Sequence, residues 1–574
     1  MAKQRKRRKA RRRGPIDPQK LVKRRQIWKL RSVFARIGFE HIPSRDVEFT
    51  FDGRTGELDE IFRQDNIIVI CECTVGKATA EHVAKKSILF AKVLRNPAGW
   101  VTTYAAANAD FRASIGNAVY TAEELRVRIV FVSTEGVPEE VEKALGDIRF
   151  LDGTRLRYFE SLSHTIQKSA RHEFFKYLKL DYAEIGPQIH SPQNSSRSFP
   201  GHVLPEAHSG YPAGFKVVSF YAEPGTLLAL SYVLRQDSWR DADGLYQRIL
   251  IKSKIARMRK YLVNERRVFV NNIIVTLPAN TALNHPDTGK NIDAGALQRT
   301  AQVSISVPYS ANMIGLVDGQ HRVFCYYEGK DPLEHKIALL RMRQNLLVTG
   351  LVYPESWSEN RKREFEARLF LEINDNQARA KSALKQSIEL ILNPYSTIAI
   401  AKEIANILAL KGPLADLLQT SFFDPPLKIK TTSIVSYGLR PLVKFDGDDS
   451  LFASWSHRQK QRLRADAPAS ERTPLREAYV EYCVGCINDF LIAAKLNTGA
   501  DRWKLEPKQR AQFLTPTVLN GFFVCLRRLA EASKLTTRER YQRALDGVAT
   551  FPFSRYKSSG WRALGDKLYE DYFA

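Results

Sequence analysis

The sequence contains no apolar run approaching the roughly 18–20 residues that a bilayer-spanning helix needs, and its N-terminus carries no hydrophobic signal-peptide core. A membrane protein and a secreted one are therefore not expected. Six cysteines in 574 residues are too few for a disulfide framework, which points to a reducing cytoplasm. There is no Walker-type glycine–lysine phosphate loop, no nucleophile elbow and no paired-histidine zinc motif, so P-loop NTPases, serine hydrolases and zincins are not indicated. Acidic residues are outnumbered. Lys and Arg number 88 against 62 Asp and Glu, a formal charge of +26. The deficit is concentrated: residues 1–31 hold fifteen Lys/Arg, nine of them between Lys3 and Arg13, and one acid, Asp17. That segment carries +14, leaving 26 − 14 = +12 for the other 543 residues.

What is present argues for a folded protein. With 44% hydrophobic and 10% aromatic residues, the chain can bury real cores, and its length suits about three domains. A basic arm over residues 1–18, with Arg7, Arg8, Arg11, Arg12 and Arg13 as backbone-contacting candidates, would neutralise phosphate charge without reading sequence. The alternative is a solubilising or localising tail. DNA is the expected partner, and the bacterial nucleoid in the cytoplasm the expected location.

Apolar periodicity predicts a helix over Gln19–Phe39, strands over Asp46–Phe51, Glu57–Phe62 and Asn66–Cys73, a helix over Thr79–Leu94, a buried strand over Arg126–Ser133 and a helix over Tyr158–Lys179. Pro187–Pro212, with five Pro and five Ser, reads as a linker. Beyond it, strands are expected at Lys216–Tyr221, Asn272–Leu277, Gln302–Pro308, Lys336–Leu340 and Leu346–Tyr353, and helices at Pro224–Leu234 and Ile249–Leu262. The remainder is mostly helical, with Ile388–Leu410, Leu475–Lys495 and Thr515–Ser533 clearest.

Two constellations carry chemistry. The first is Gly56-Glu57-Leu58-Asp59 followed by the apolar run Ile67–Cys71 ending in Glu72. Asp59 and Glu72 on adjacent strands would supply hard oxygen ligands to a divalent cation such as Mg²⁺, which can activate water and neutralise charge on a phosphodiester. Gly56, Glu57, Asp59 and Glu72 resemble the G-E-x-D and E-x-K pattern of the PD-(D/E)XK nucleases. That resemblance implies a restriction-endonuclease-like fold with Asp59 and Glu72 as catalytic metal ligands. The family's lysine position holds Thr74, which has no ammonium; Lys77 is the stand-in, with Lys85 and Lys86 as further candidates. The alternative is a nuclease-like fold retained for binding alone.

The second is Asp318-Gly319-Gln320-His321-Arg322, at the start of an expected helix. Glycine allows close backbone approach, and Arg can grip phosphate oxygens in a fork. The pentapeptide, with Tyr246-Gln247-Arg248 and Phe269–Val275 upstream and Phe370–Gln377 downstream, resembles the DGQHR-domain proteins, which include DndB and are more distantly related to the ParB/sulfiredoxin fold. The resemblance implies contact with a nucleotide or a DNA phosphate through Asp318, Gly319, Gln320, His321 and Arg322, and secondarily through Gln247, Arg248, Asn374 and Gln377. A helix cap at Asp318 and a surface pair at His321 and Arg322 is the bland alternative. Cys483 and Cys486, at helical spacing and without a second pair, read as core residues.

The expected fold class is α/β multidomain: a basic arm over 1–18, a restriction-endonuclease-like α/β domain over 19–186, a linker over 187–213, a ParB/DndB-like α/β DGQHR domain over 214–387 and a mostly α-helical region over 388–574. The leading expectation is a DNA-binding protein of a DNA modification or anti-phage defence system, a Mg²⁺-dependent endonuclease controlled by a nucleotide- or DNA-sensing domain, working with partner proteins. Two others stand beside it: a non-catalytic DndB-like transcriptional regulator with an inactive nuclease fold, and a DGQHR-domain NTPase acting on a nucleoside triphosphate.

Overall fold

The computed structural model describes residues 18–76, 79–116, 119–190, 196–233, 250–375, 382–420, 424, 427–464, 467–505 and 513–574. They are mixed α/β and fall into two compact units, one running to Val233 and again from Leu250 to Trp357, the other from Ser358 to Ala574. Among the described residues no helix is long and apolar enough to cross a membrane, and all six cysteines are free thiols.

The first unit begins with helix α1 (Pro18–Ile37). A five-stranded sheet follows, in the order β1 (Glu40–Ile42), β2 (Glu60–Gln64), β3 (Ile67–Thr74), β4 (Arg126–Ser133) and β5 (Ile148–Leu151). β1, β2 and β3 form an antiparallel meander, and β4 and β5 run parallel to β3. β3 is buried along nearly its whole length, as its unbroken Ile-Ile-Val-Ile run requires of a central strand covered on both faces. One face packs on helices α2 (Ala80–Arg95) and α3 (Pro97–Ala107), where Ile61, Ile68 and Ile70 meet Val83, Phe90, Trp100 and Tyr104. On the other, Phe34 of α1 stacks on Phe62 at 3.9 Å between ring centroids and meets Phe174 edge-on at 5.1 Å.

The same unit holds an eight-stranded sheet made of β6 (Ser196–Val203), β7 (Lys216–Ala222), β8 (Ser231–Tyr232), β9 (Ile273–Leu277), β10 (Ala282–Asn284), β11 (Ala301–Pro308), β12 (Ile314–Asp318) and β13 (Leu346–Val352). Their spatial order is β8-β12-β9-β13-β7-β6-β11-β10. Helix α4 (Lys252–Glu265) fastens the segment after β12 through buried Arg259, which donates to the carbonyls of Cys325 and Tyr327 and pairs with Asp331 and Glu334. Arg171 and Glu328 close a two-pronged ion pair between the strand-flanking segments of the two sheets.

Several sequence expectations are corrected. The expected linker over 187–213 contains β6, paired with both β7 and β11; Phe199, Gly201 and Val203 alternate inward, and that period-2 burial outweighs the Pro and Ser content. Lys336–Leu340 lies in a helix, Glu334–Arg343, with Glu334 in its first turn and arginines in its last, as the helix dipole favours. The helices Glu359–Asp375 and Ser382–Leu392, expected within a domain over 214–387, belong with the second, mostly helical unit. Residues 19–186 and 214–387 do not separate into two contact-defined units. Ile388–Leu410 is two helices, the second capped by Ser396, whose hydroxyl accepts from the Ala399 amide.

Glu60 is fully buried on the α1 face and is gripped by Arg31 in a fork at 2.7 and 2.9 Å, by Arg45 at 2.8 Å and by His41 at 2.8 Å. Burial alone would raise its pKa, but the hydrogen bonds and charges of His41 and Arg31 outweigh it and hold the group down to about 2. A carboxyl depressed in the folded state stabilises above its unfolded pKa and loses that contribution as the pH falls through the folded value. Glu60→Gln is therefore expected to cost about 2 kcal/mol at pH 7, after discounting for the half-exposed arginines. The difference from wild type should shrink as the pH drops from about 4.5 toward 2, measured by denaturant unfolding across that range.

Candidate functional site

Register places the first constellation. Glu60 pairs with Cys71 across the β2–β3 ladder, so the next step sets Asp59 opposite Glu72 at the end where β3 emerges from the core. The Cys73 amide donates to Asp59 Oδ2 at 2.8 Å, fixing that carboxylate against the strand. Period-2 alternation sends Glu72 to the α2 face, and Lys86, in the second turn of that helix, reaches it: Nζ lies 2.8 Å from Oε1. Glu72 Oε2 is buried and, among the described residues, has no hydrogen-bond partner. From the other side, Lys23 of α1 approaches Asp59 Oδ1 at 3.4 Å.

Burial first, and then the Asp59 carboxylate, push the Glu72 pKa up against the pull of Lys86. The two acids thus share one environment and repel each other. Thr74, at the position of the expected lysine, contacts His82 Nε2 through its hydroxyl at 3.1 Å. Burial and the nearby Lys86 lower the His82 pKa despite Asp59. α2 itself starts where Thr79 caps it by accepting from the His82 amide, and one helical turn separates His82 from Lys86.

Of the expected site residues, Asp59 and Glu72 come together. Lys77 lies outside the described residues, and Lys86, a further candidate in the sequence, supplies the ammonium at Glu72. Glu57 is exposed and no bond or ion pair places it in the cluster. Lys23 and His82 were not anticipated. His82 could have been found from its i, i+4 spacing to Lys86, whereas nothing in the sequence connects Lys23 to an acid 36 residues later. Among the described residues no group of three or more His, Cys, Asp and Glu side chains could hold a metal ion, so a cation here would rest on the two carboxylates and on substrate oxygens. That donor set fits Mg²⁺, which is commonly held by one or two carboxylates together with phosphate oxygens, and the partnerless Glu72 Oε2 offers it a lone pair.

The second constellation folds back on itself. β12 ends at Asp318, and Gly319, with φ of +98°, turns the chain into the short helix Gln320–Phe324. A Cβ at 319 would stand 2.6 Å from Ile273 Cδ1, so glycine is required for both conformation and space. Arg322 Nη2 donates to Asp318 Oδ2 and to the Asn272 carbonyl, both at 2.8 Å. Asp318 is accordingly the ion-pair partner of Arg322, and the cap position belongs to Gly319. His321 and Gln320 are half-buried beside them. Gln247, Arg248 and Gln377 lie outside the described residues, as do Arg7, Arg8, Arg11, Arg12 and Arg13. Asn374 falls in helix Glu359–Asp375 of the other unit. Cys483 is buried and Cys486 half-buried in helix Ala469–Thr498, and burial raises both thiols.

No protein-family model, curated protein or solved structure matches this chain.

Two outcomes are expected of these sites. A carboxyl whose pKa is higher folded than unfolded costs stability once the pH passes its unfolded value. Glu72→Gln should therefore raise the thermal midpoint at pH 8 by about 1–3 °C, a gain that vanishes below about pH 4.5, since the half-exposed Lys86 can turn to water. At the glycine turn Asp318 holds Arg322 Nη2, so a phosphate gripped by that nitrogen would compete with it. If the turn takes a nucleotide, Asp318→Asn tightens ATP, GTP or CTP binding several-fold in calorimetry and Arg322→Ala abolishes it; no binding by wild type would leave the pair a structural one.

Proposed function

We propose that this chain is a DNA-binding protein of a DNA modification or anti-phage defence system, and that its Asp59–Glu72 site hydrolyses phosphodiester bonds. The observation that carries this reading is the convergence of two carboxylates and an ammonium, Asp59, Glu72 and Lys86, at the end of a buried strand. The arrangement of the five-stranded sheet supports it as well: a helix, an antiparallel meander, helices and a parallel strand are what the PD-(D/E)XK resemblance implies. The +14 carried by residues 1–31 supplies the attraction to a polyanion.

In this reading Asp59 and Glu72 hold Mg²⁺, which when bound lowers the pKa of water and offsets charge building on the phosphodiester. Lys86 Nζ, already fixed at Glu72, donates to the attacking water or to a phosphoryl oxygen, the task the family assigns to the lysine that Thr74 replaces. Asp59 is oriented by the Cys73 amide, and His82 and Thr74 line the same edge as polar groups. The turn at Asp318–Arg322 is the sensing element for a nucleotide or DNA phosphate.

A second reading, the non-catalytic DndB-like regulator, is favoured by one observation: each acid already has a lysine, Asp59 with Lys23 and Glu72 with Lys86. Supercoiled plasmid with Mg²⁺ or Mn²⁺ separates the two. Wild type is expected to nick and linearise it, and Asp59→Asn, Glu72→Gln and Lys86→Met to slow the reaction by roughly a hundred-fold or more. Equal rates in wild type and the carboxylate variants would overturn the metal-site reading, and plasmid binding without cleavage by wild type would favour the regulator.

A further inference from the structure

α1 presents two faces. Its buried face, with Leu30, Val33, Phe34 and Ile37, lies on the sheet. Its outer face carries a tryptophan: Trp28 is 66% exposed, by far the most exposed large aromatic of this helix. Leu21, Arg24, Arg25 and Trp28 fall at i, i+3, i+4 and i+7 and are all exposed, so they form one stripe.

The stripe is connected to the carboxylate site by the helix itself. Lys23 meets Asp59 and Arg31 meets Glu60, which orients the flank of α1 toward the strand end. At about 100° and 1.5 Å per residue, Trp28 stands roughly 140° around and about 7.5 Å along from Lys23. Arg24 and Arg31 fall in the angular interval between them. Lys23 and Arg24 therefore lie on the side of α1 that leads from Asp59 toward the exposed indole. The exposed indole shares its stripe with one leucine, Leu21, and two guanidinium groups, Arg24 and Arg25, so its surroundings are mainly cationic. That composition suits neither an apolar peptide nor a second copy of this equally basic segment, and it matches the combination with which single strands are held: positive charge along the backbone and an aromatic face for an unpaired base.

We propose that α1 binds single-stranded DNA, with Trp28 stacking on an unpaired base and Arg24 and Arg25 contacting the flanking phosphates, so that the substrate presented to the Asp59–Glu72 edge has an unpaired stretch, such as a flap, tail or bubble. The proposal rests on the reading of that edge as a DNA-cleaving site, but α1 binding is measured apart from cleavage. In EDTA, full-length protein is titrated into a fluorescein-labelled single strand and into the blunt duplex of the same sequence, followed by anisotropy. Trp28→Ala is expected to weaken single-strand binding roughly ten-fold and duplex binding little. Trp28→Phe should retain most of the affinity, whereas Trp28→Leu, apolar but without a π face, should behave as Ala. Arg24→Gln/Arg25→Gln should reduce the salt slope for the single strand by about 1.4, two phosphate contacts at roughly 0.7 each.

Circular dichroism checks that these exposed substitutions leave the fold intact. Unchanged single-strand affinity in Trp28→Ala, an equal loss on duplex, or a Leu variant that binds like wild type would each overturn the proposal. So would a shift of Trp28→Ala to a smaller sedimenting species with unchanged DNA affinity, which would assign the stripe to a protein contact. Plasmid cleavage that survives any of these results leaves the nuclease reading standing while α1 loses its role.

Discussion

A carboxylate sealed at the end of an otherwise apolar strand is tolerated only if opposite charge lies in contact with it, and the Glu72–Lys86 pair meets that condition for β3. Much of the first unit is arranged so that this pair can form. α2 has to start at Thr79 and run back along the sheet for Lys86 to reach the strand end, and Val83 and Phe90 on the same helix hold it there against Ile68 and Ile70. The Asp59 segment has to close over the top, which the Cys73 amide secures. α1 then supplies the second ammonium through Lys23. The edge is thus assembled from a strand, the residue preceding its neighbour strand and two helices on opposite faces of the sheet.

The contrast between Glu60 and Glu72 shows what that arrangement does. Both are buried acids on adjacent strands, one residue out of phase, so the pleat sends them to opposite faces. Glu60 receives two guanidinium groups and an imidazole and is held far below the ordinary carboxylate range; it locks α1 to the sheet. Glu72 receives one ammonium, a repelling neighbour and one oxygen with no partner, and its pKa moves up. The two environments drive similar groups apart, which makes Glu72 rather than Glu60 the candidate for chemistry.

How much of this was legible in the sequence depended on whether the signal was local. β3 and β4 stood out as unbroken β-branched runs, and Asp59 and Glu72 because acids next to such runs are conspicuous. β6 was missed because its alternation is written in Phe199, Gly201 and Val203 amid prolines and serines that read as a linker, and a glycine facing inward adds no apolar signal. The break near Ser396 was hidden by apolar residues on both sides of it. Lys23 and Arg171 were invisible for a deeper reason: their partners, Asp59 and Glu328, lie 36 and 157 residues away, and ion pairs leave no periodicity. The pentapeptide at Asp318 was conspicuous as a string, yet its internal Asp318–Arg322 pair is a consequence of the turn at Gly319 that composition does not announce.

Threonine at 74, where the nuclease resemblance would place a lysine, changes the electrostatics less than the motif suggests. Residues 72 and 74 share a face of β3, so a lysine at 74 would place its ammonium beside Glu72 from within the strand. Lys86 places one there from the helix. Counting Lys23, the edge carries two acids and two ammonium groups, a sum near zero. A neutral, half-buried edge has little to offer a phosphodiester, and on that count alone the regulator reading would stand. A divalent cation held by Glu72 and Asp59 would bring the local sum to about +2; Lys86 pairs with Glu72 Oε1, Lys23 lies at the long distance of 3.4 Å from Asp59 Oδ1, and Asp59 Oδ2 accepts from the Cys73 amide. Such a positive, half-buried edge would stabilise charge on a phosphoryl oxygen. The partnerless oxygen of Glu72 is therefore the feature on which the two readings divide. It costs stability in a protein that only binds DNA, and it has a use in one that cuts it.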